Sequence, residues 1–165
     1  MKSHFVRMAR YNTWANTRLY GMARDLPDPS YRKNVGAFFG SMHGTLNHLL
    51  TTVRIWMRRF TGTGDQPKKL DAILFEDFAS LATARVQEDD QIRRYVDGLT
   101  EDEIRAELNY ATTRGVPQRN RLGDLLAHLF NHQTHHRGQA HAILTVLGIA
   151  EPKPLDLLAM LREKV

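Results

Sequence analysis

The chain lacks cysteine entirely and has no long hydrophobic run. Without cysteine it forms no disulfides, offers no thiolate to a metal and has no cysteine nucleophile, so a substrate would have to bring in any thiol. No stretch approaches the roughly 18 apolar residues of a membrane-spanning helix. Residues 1–10 mix four basic or imidazole side chains with isolated apolar ones, unlike a signal peptide. We therefore expect a cytoplasmic protein without a membrane span.

The basic residues lack the clustering that a nucleic-acid surface requires. The net charge is +5 and the isoelectric point is near 9.7, but the positive charges are spread along the chain among acidic neighbours. One local group, Arg54, Arg58 and Arg59, is predicted to be the solvated face of a helix. A nucleic-acid role would require steep salt dependence, and no nucleic-acid partner is expected.

Apolar residues recur at helical spacing through most of the chain. The pattern predicts four long helices and a short last one, over residues 5–22, 38–60, 75–96, 122–147 and 155–164. Thr100 and Glu103 have the spacing of a capping box, and residues 107–120 are predicted to form a short hairpin or an irregular connection. We expect one all-α domain over residues 1–165, a four-helix bundle with this insertion before its last long helix.

Histidines are concentrated near the end of the chain, where four of the eight fall between residues 128 and 136. His128, His132 and His136 are spaced four residues apart, which places neighbouring imidazoles on one helix face. Helical phase places His132 and His136 at the edge of the apolar stripe and turns His135 towards solvent. We therefore predict that His132 and His136 bind one divalent ion. The alternative is that they are ordinary hydrogen-bonded core residues.

A third ligand is expected from the second long helix, which carries His43 and His48. Helical phase places His43 nearer to the apolar stripe of that helix than His48. Periodicity alone favours His43 and leaves the choice open.

Several segments of the chain resemble those of the DinB (damage-inducible) family of bacterial four-helix-bundle proteins. They occur in the same order and span nearly the whole chain. The segments are YNTWAN at 11–16, SMHGTLNHLL at 41–50, RIWMRRF at 54–60 and HLFNHQTHHRGQAHAILTVLG at 128–148. The family shares its fold with metal-dependent transferases that use thiols such as mycothiol and bacillithiol.

The resemblance implies a metal site of three histidines, which fall on His48, His132 and His136. It thereby favours His48 over His43, a choice that the periodicity does not make. Members of the family often carry an acidic residue before the RIW segment, where this chain has Val53.

A homodimer is a further expectation from the resemblance. Three aromatic side chains could supply an exposed apolar row for it or could simply fill the core: Trp14, Trp56 and Phe60.

Three imidazoles leave a divalent ion with open coordination positions. Zinc or nickel is expected first, with manganese and iron as alternatives, because imidazole discriminates poorly among them. Asn131, Arg137 and Gln139 flank the ligands and could orient them. Asn131 and Gln139 could equally form capping or inter-helix hydrogen bonds. Arg137 could instead meet a substrate carboxylate or form a buried structural pair.

Two functions are compatible with such a site. The first is a metal-dependent enzyme that acts with a low-molecular-weight thiol as an S-transferase, or that acts as a hydrolase. The second is a non-catalytic metal-binding bundle with a structural or stress-response role. No carboxylate in the sequence is marked out as a general base, and no catalytic residue is assigned.

Overall fold

The computed structural model describes residues 1–163, so Lys164, the predicted end of the last helix, lies outside the described residues. The elements in chain order are helices α1 (Lys2–Arg24), α2 (Asp28–Arg32), α3 (Met42–Thr61), α4 (Phe78–Gly98) and α5 (Glu101–Arg105), strands β1 (Glu107–Ala111) and β2 (Pro117–Arg121), and helices α6 (Leu122–Val146) and α7 (Leu157–Arg162).

Four long helices form a closed bundle, as the periodicity predicts. Helix α1 packs against α4 and α6, and α3 packs against the same two helices. Two apolar clusters fill the interior, one at each end, around Phe130 and around Leu49. Among residues 1–163, no helix is long and apolar enough to cross a bilayer.

The second and third long helices begin later than their apolar patterns predict. Helix α3 begins at Met42 instead of residue 38, because Gly40 has a φ of 74° and Ser41 caps the helix through a bond from the Gly44 amide. Helix α4 begins at Phe78 instead of residue 75, since the Asp77 side chain accepts from the Ser80 amide. Of the apolar residues before these caps, Phe39 stacks on His48 and Phe75 packs on the cluster around Leu49, whereas Phe38 is exposed.

The connections agree with their local sequence signals. Strands β1 and β2 pair antiparallel, with Glu107 opposite Arg121 and Ala111 opposite Pro117, so the predicted hairpin is confirmed. Thr100 and Glu103 form the predicted capping box at the start of α5. Helix α2 was not predicted; its proline lies in the first turn, where the missing amide hydrogen costs no bond.

Of the three aromatic residues for which the sequence left an exposed row or core filling open, two belong to the core. Phe60 is buried and Trp56 packs against the same cluster, while the Trp14 indole donates to Glu163. The basic group is not simply solvated either. The Arg54 side chain bonds to Glu88 on α4, and the Arg59 guanidinium lies over the Trp56 ring.

A buried polar network joins α1, α4 and α6. The Asp89 carboxylate accepts from the amides of Asn12 and Asn16 at 2.8 and 3.0 Å and lies 2.9 Å from the Arg85 guanidinium. The Arg137 guanidinium donates to the Asn12 oxygen. Burial raises the pKa of Asp89 and lowers that of Arg137. Asp89 thus pairs directly with Arg85 and reaches Arg137 through Asn12, and this network joins three helices of the bundle.

Replacing Asp89 by Asn should lower the free energy of unfolding by about 3–5 kcal/mol, because two guanidinium groups would remain buried without a counterion. Urea unfolding at neutral pH measures the change. The neighbouring Asp90→Asn is the matched control: Asp90 is half-exposed and 3.7 Å from the Arg93 guanidinium, so its loss should cost less than about 1 kcal/mol. Equal effects of the two substitutions would contradict this role for Asp89.

Candidate metal centre

Three histidines from two helices converge between α3 and α6. His48 projects from α3, and His132 and His136 project from α6 one turn apart. One ring nitrogen from each lies within 4.8 Å of the other two. The rings of His48 and His136 have centroids 4.3 Å apart, as do those of His132 and His136.

The His48 ring is held from two sides. Its Nδ1 lies 2.7 Å from the Leu70 carbonyl oxygen, so Nδ1 carries the proton and Nε2 keeps its lone pair. The Phe39 ring stacks on the imidazole at 3.8 Å between centroids. His48 Nε2 is buried and has no hydrogen-bond partner within residues 1–163. Buried polar atoms without a partner are rare, and this one faces the other two histidines.

His136 is oriented by Gln139, one turn further along α6. Its Nδ1 lies 2.7 Å from Gln139 Oε1 and therefore donates to it. This leaves the lone pair on Nε2, which is 3.1 Å from His132 Nε2. His132 Nδ1 is buried and, in the described part of the chain, has no partner.

This arrangement fits a divalent ion held by imidazole. Two nitrogens bound to one zinc ion at bonds of about 2.1 Å lie roughly 3–3.5 Å apart, and the Nε2 atoms of His132 and His136 are 3.1 Å apart. His48 Nε2 supplies a lone pair that the protein itself does not use. The cluster therefore could hold a metal ion.

The histidines are neutral at physiological pH. Burial lowers the pKa of His48 to about 4, against an opposing effect of the Leu70 carbonyl. Burial lowers the pKa of His132 to about 3, and the neighbouring His136 and His48 add to this effect. The pKa of His136 is also lowered by burial, while Gln139 opposes the shift. Neutral imidazoles have the free lone pairs that metal binding requires.

A buried glutamine sets α6 in register with α3. Gln133, fully buried next to His132, donates to the Leu49 carbonyl at 3.1 Å and lies 3.2 Å from the Thr52 hydroxyl. Thr52 in turn donates to the His48 carbonyl. These bonds hold the three histidines opposite one another.

His43, which the periodicity favoured as third ligand, lies elsewhere. Its Nδ1 is 3.3 Å from the Tyr31 hydroxyl and its Nε2 is 3.7 Å from Glu76. Helix α3 is buried around nearly its whole circumference between Met42 and Val53, so it has no single apolar stripe from which a phase could be measured. The choice implied by the family resemblance, His48, is the one that lies in the cluster.

The flanking residues divide into different environments. Gln139 contacts His136, whereas Asn131 is exposed. Arg137 is buried and faces α1, in the structural pairing that the sequence left open. Exposed His135 meets Gln139, while His128 lies against Trp56 with ring centroids 5.1 Å apart.

Comparison with known proteins agrees with this architecture. The model of the DinB family matches residues 1–163. This chain belongs to the DinB family. Protein DinB of Bacillus subtilis (strain 168) is similar to it, with 25% identity over 154 residues that cover 91% of this chain and 90% of that protein. The predicted family membership is confirmed.

Three contributors to this DinB-family site were not predicted from the sequence: Phe39, the Leu70 carbonyl and Gln133. The first two lie in non-helical segments, and a backbone carbonyl leaves no residue-type signal. Gln133 could have been found as a polar residue on the inner face of an otherwise apolar helix.

Acid should destabilise the metal-free protein through these histidines. In the unfolded chain their pKa is about 6.5, whereas folding lowers it to about 4 for His48 and about 3 for His132. The unfolded state therefore binds more protons below about pH 6.5, and the free energy of unfolding falls as the pH drops from there towards 4. Urea unfolding with a chelator at about pH 7 and pH 5 measures this loss, which His132→Gln should reduce. An unchanged loss in the variant would contradict the assignment.

Proposed function

We propose that this protein binds a divalent ion through His48, His132 and His136 and is a metal-dependent enzyme that acts with a low-molecular-weight thiol, in the manner of an S-transferase. The observation that carries the proposal is the convergence of three neutral imidazoles within 4.8 Å. A hydrolase built on the same ion is the second candidate.

A divalent ion held by three imidazoles supplies Lewis acidity at its remaining positions, which polarises a substrate oxygen or favours the thiolate form of a thiol. The chain has no cysteine, so a thiol at this site would be a separate molecule. We propose zinc or nickel as the ion, with manganese and iron as alternatives.

The protein's own groups orient the ligands and limit access to them. The Leu70 carbonyl and the Gln139 amide hold the Nδ1 protons of His48 and His136, so each Nε2 lone pair points into the cluster. The Phe39 ring covers one face of His48 and excludes water there. Such hydrogen-bond partners typically raise the affinity of a histidine site.

The bonding of the three histidines favours the thiol reaction over hydrolysis. Within residues 1–163, no carboxylate forms a hydrogen bond or ion pair with His48, His132 or His136. Hydrolysis at zinc commonly employs a carboxylate as general base, whereas binding a thiolate needs only the ion. The alternative function is a non-catalytic ion with a structural or stress-response role. Separately, we propose a homodimer on the basis of the family resemblance.

Metal analysis by mass spectrometry on untagged protein tests the site directly. We expect about one ion per chain in the wild type and in His43→Asn, and a loss of the ion in His48→Ala and His132→Ala, since only the last two remove a ligand. His43 is the matched control because it lies on the same helix, is also buried and is the alternative ligand. Retention of the ion in both ligand variants would rule out the three-histidine site.

The metal-loaded protein then separates the enzyme from the structural alternative. If the ion is catalytic, the protein should consume a small thiol in the presence of an electrophilic acceptor. Titration of the remaining thiol measures this activity, which should disappear in His132→Ala. Removal of a catalytic ion by a chelator should lower the free energy of unfolding only slightly. An ion whose removal unfolds the bundle, without any thiol consumption, would favour the structural role.

Gln139→Ala should lower the affinity for zinc about 10- to 100-fold, because His136 loses the acceptor that orients its ring. Competition with a fluorescent chelator measures the affinity. His135→Ala is the control: His135 touches Gln139 but is exposed, and its removal should leave the affinity within about twofold. Equal affinities for wild type and Gln139→Ala would argue against an orienting role.

A further inference from the structure

We propose that a cavity on the far side of α6 from the histidine cluster binds a small carboxylic acid with an apolar body, whose carboxylate pairs with Arg137. This site is separate from the proposed metal centre and needs no ion. The cavity has a volume of about 610 Å³, within the range of roughly 300–1,000 Å³ that small-molecule sites occupy. His48, His132 and His136 do not line it.

Two helices and a connecting segment form the walls of this cavity. Helix α1 contributes one wall, and residues 152–157, which lead into α7, contribute another. The residues that α6 contributes lie on the helix face opposite His132 and His136: Thr134, Arg137, Gly138 and His141. The apolar part of the lining is Met8, Pro152, Pro154, Leu155 and Leu157. A mainly apolar lining with a few polar groups is typical of a site for a small organic molecule.

The segment that closes the cavity is bonded to both helices. The Tyr11 hydroxyl on α1 donates to the Leu155 carbonyl at 2.7 Å. His141 Nε2 on α6 lies 3.1 Å from the Lys153 carbonyl oxygen and donates to it. The Lys153 amide in turn meets Met22 Sδ at 3.0 Å. Because the two prolines also fix φ at their positions, the cavity is a built feature of the fold.

Arg137 brings to this cavity a positive charge that no carboxylate contacts directly. Its guanidinium donates to the neutral oxygens of Asn12 and Thr134. The Asp89 carboxylate lies 2.9 Å from the Arg85 guanidinium, and it reaches Arg137 only through Asn12. A buried charge without a direct counterion is unfavourable. A ligand carboxylate would therefore supply the counterion that the protein's own bonds leave out.

One side of the Arg137 guanidinium has the geometry that a carboxylate requires. Nε is buried and, within the described residues, has no hydrogen-bond partner. Nη2, on the same side of the group as Nε, donates at 3.1 Å to the hydroxyl of Thr134, which is exposed. A carboxylate that takes the place of this hydroxyl accepts from both nitrogens in the bidentate arrangement that arginine favours.

Two further lining residues limit what the cavity accepts. A Cβ at Gly138 would meet no other atom within 4 Å, so packing does not require a glycine there, and its missing side chain leaves the wall open. Asp156 lines the cavity from an exposed position and repels a second anionic group. We therefore expect a ligand with a single negative charge, located at its Arg137 end.

Phenylacetate and phenylacetamide test the site, because they share a phenyl ring and differ in the charge of the group that meets Arg137. Titration calorimetry at neutral pH should give about tenfold tighter binding of phenylacetate, since hydrogen bonds to a charged acceptor are the stronger ones. Binding should be lost in Gly138→Leu, whose side chain fills the cavity. Gly21→Leu is the matched control: Gly21 lies inside α1, has the same room for a Cβ and does not line the cavity.

Asp156→Asn should strengthen binding instead of weakening it. Without the repulsion from this carboxylate, phenylacetate should bind about two- to threefold more tightly, while phenylacetamide should be unaffected. The Asp156 side chain forms no capping bond to α7, so the substitution leaves the fold intact. Asp102→Asn is the control, since Asp102 is also an exposed carboxylate but does not line the cavity.

The outcomes separate this cavity from the histidine cluster. Equal binding of the two probes to wild type, or binding of neither, would overturn the carboxylate site. Retention of phenylacetate binding in Gly138→Leu would locate the probe elsewhere and would also overturn it. His132→Ala should bind phenylacetate as tightly as the wild type does. A loss in that variant would mean that the carboxylate had bound an ion at the histidines, which contradicts this inference and supports the metal centre.

Discussion

The register of α6 is the constraint on which the histidine cluster depends. Gln133 ties one side of this helix to the α3 backbone, and Arg137 ties another side to Asn12 on α1. The two side chains are four residues apart and enclose the turn from which His136 projects. Both bonds are buried, so a rotation or shift of α6 would leave polar groups unpaired in the core at a cost of about 1–3 kcal/mol each. The positions of His132 and His136 opposite His48 therefore follow from packing and polar pairing, independently of any ion.

Charge is distributed unequally between the two polar regions that α6 touches. The network around Asp89 pairs a buried carboxylate with the Arg85 guanidinium, whereas the cluster contains neutral imidazoles whose pKa values burial has lowered. Val53, just over one turn further along α3 from His48, is fully buried in an apolar cluster. The three groups that could hold a divalent ion at this site are all neutral, and within residues 1–163 no carboxylate joins them. Such a centre attracts an anionic donor, and a thiolate is one that a cysteine-free protein must receive from outside.

The sequence predicted the helices and the proximity of His132 and His136 on α6 because both follow from local periodicity. Hydrophobic spacing indicated the four long helices, and the spacing of His132 and His136 indicated a shared face. The predicted first residues of α3 and α4 were wrong because the caps at Ser41 and Asp77 begin these helices later than the apolar pattern does. Periodicity also failed to identify the third histidine of the cluster, for a different reason. A helix buried on nearly all sides has no preferred face, so periodicity could not separate His43 from His48, and only the family resemblance pointed to the residue that joins the cluster.

The loop segments escaped prediction because long-range bonds give them their form. Asn47 and Thr51 hold residues 70–75 along α3, and the absence of a Cβ at Gly44 admits the turn that carries Phe39. The three histidines thus project from long helices. The groups that border them belong to two non-helical segments, which are held in place by contacts with α3. Substitutions at exposed positions of those segments should therefore change the border of the histidine cluster without moving a histidine nitrogen, because α3 and α6 alone set the positions of the three rings.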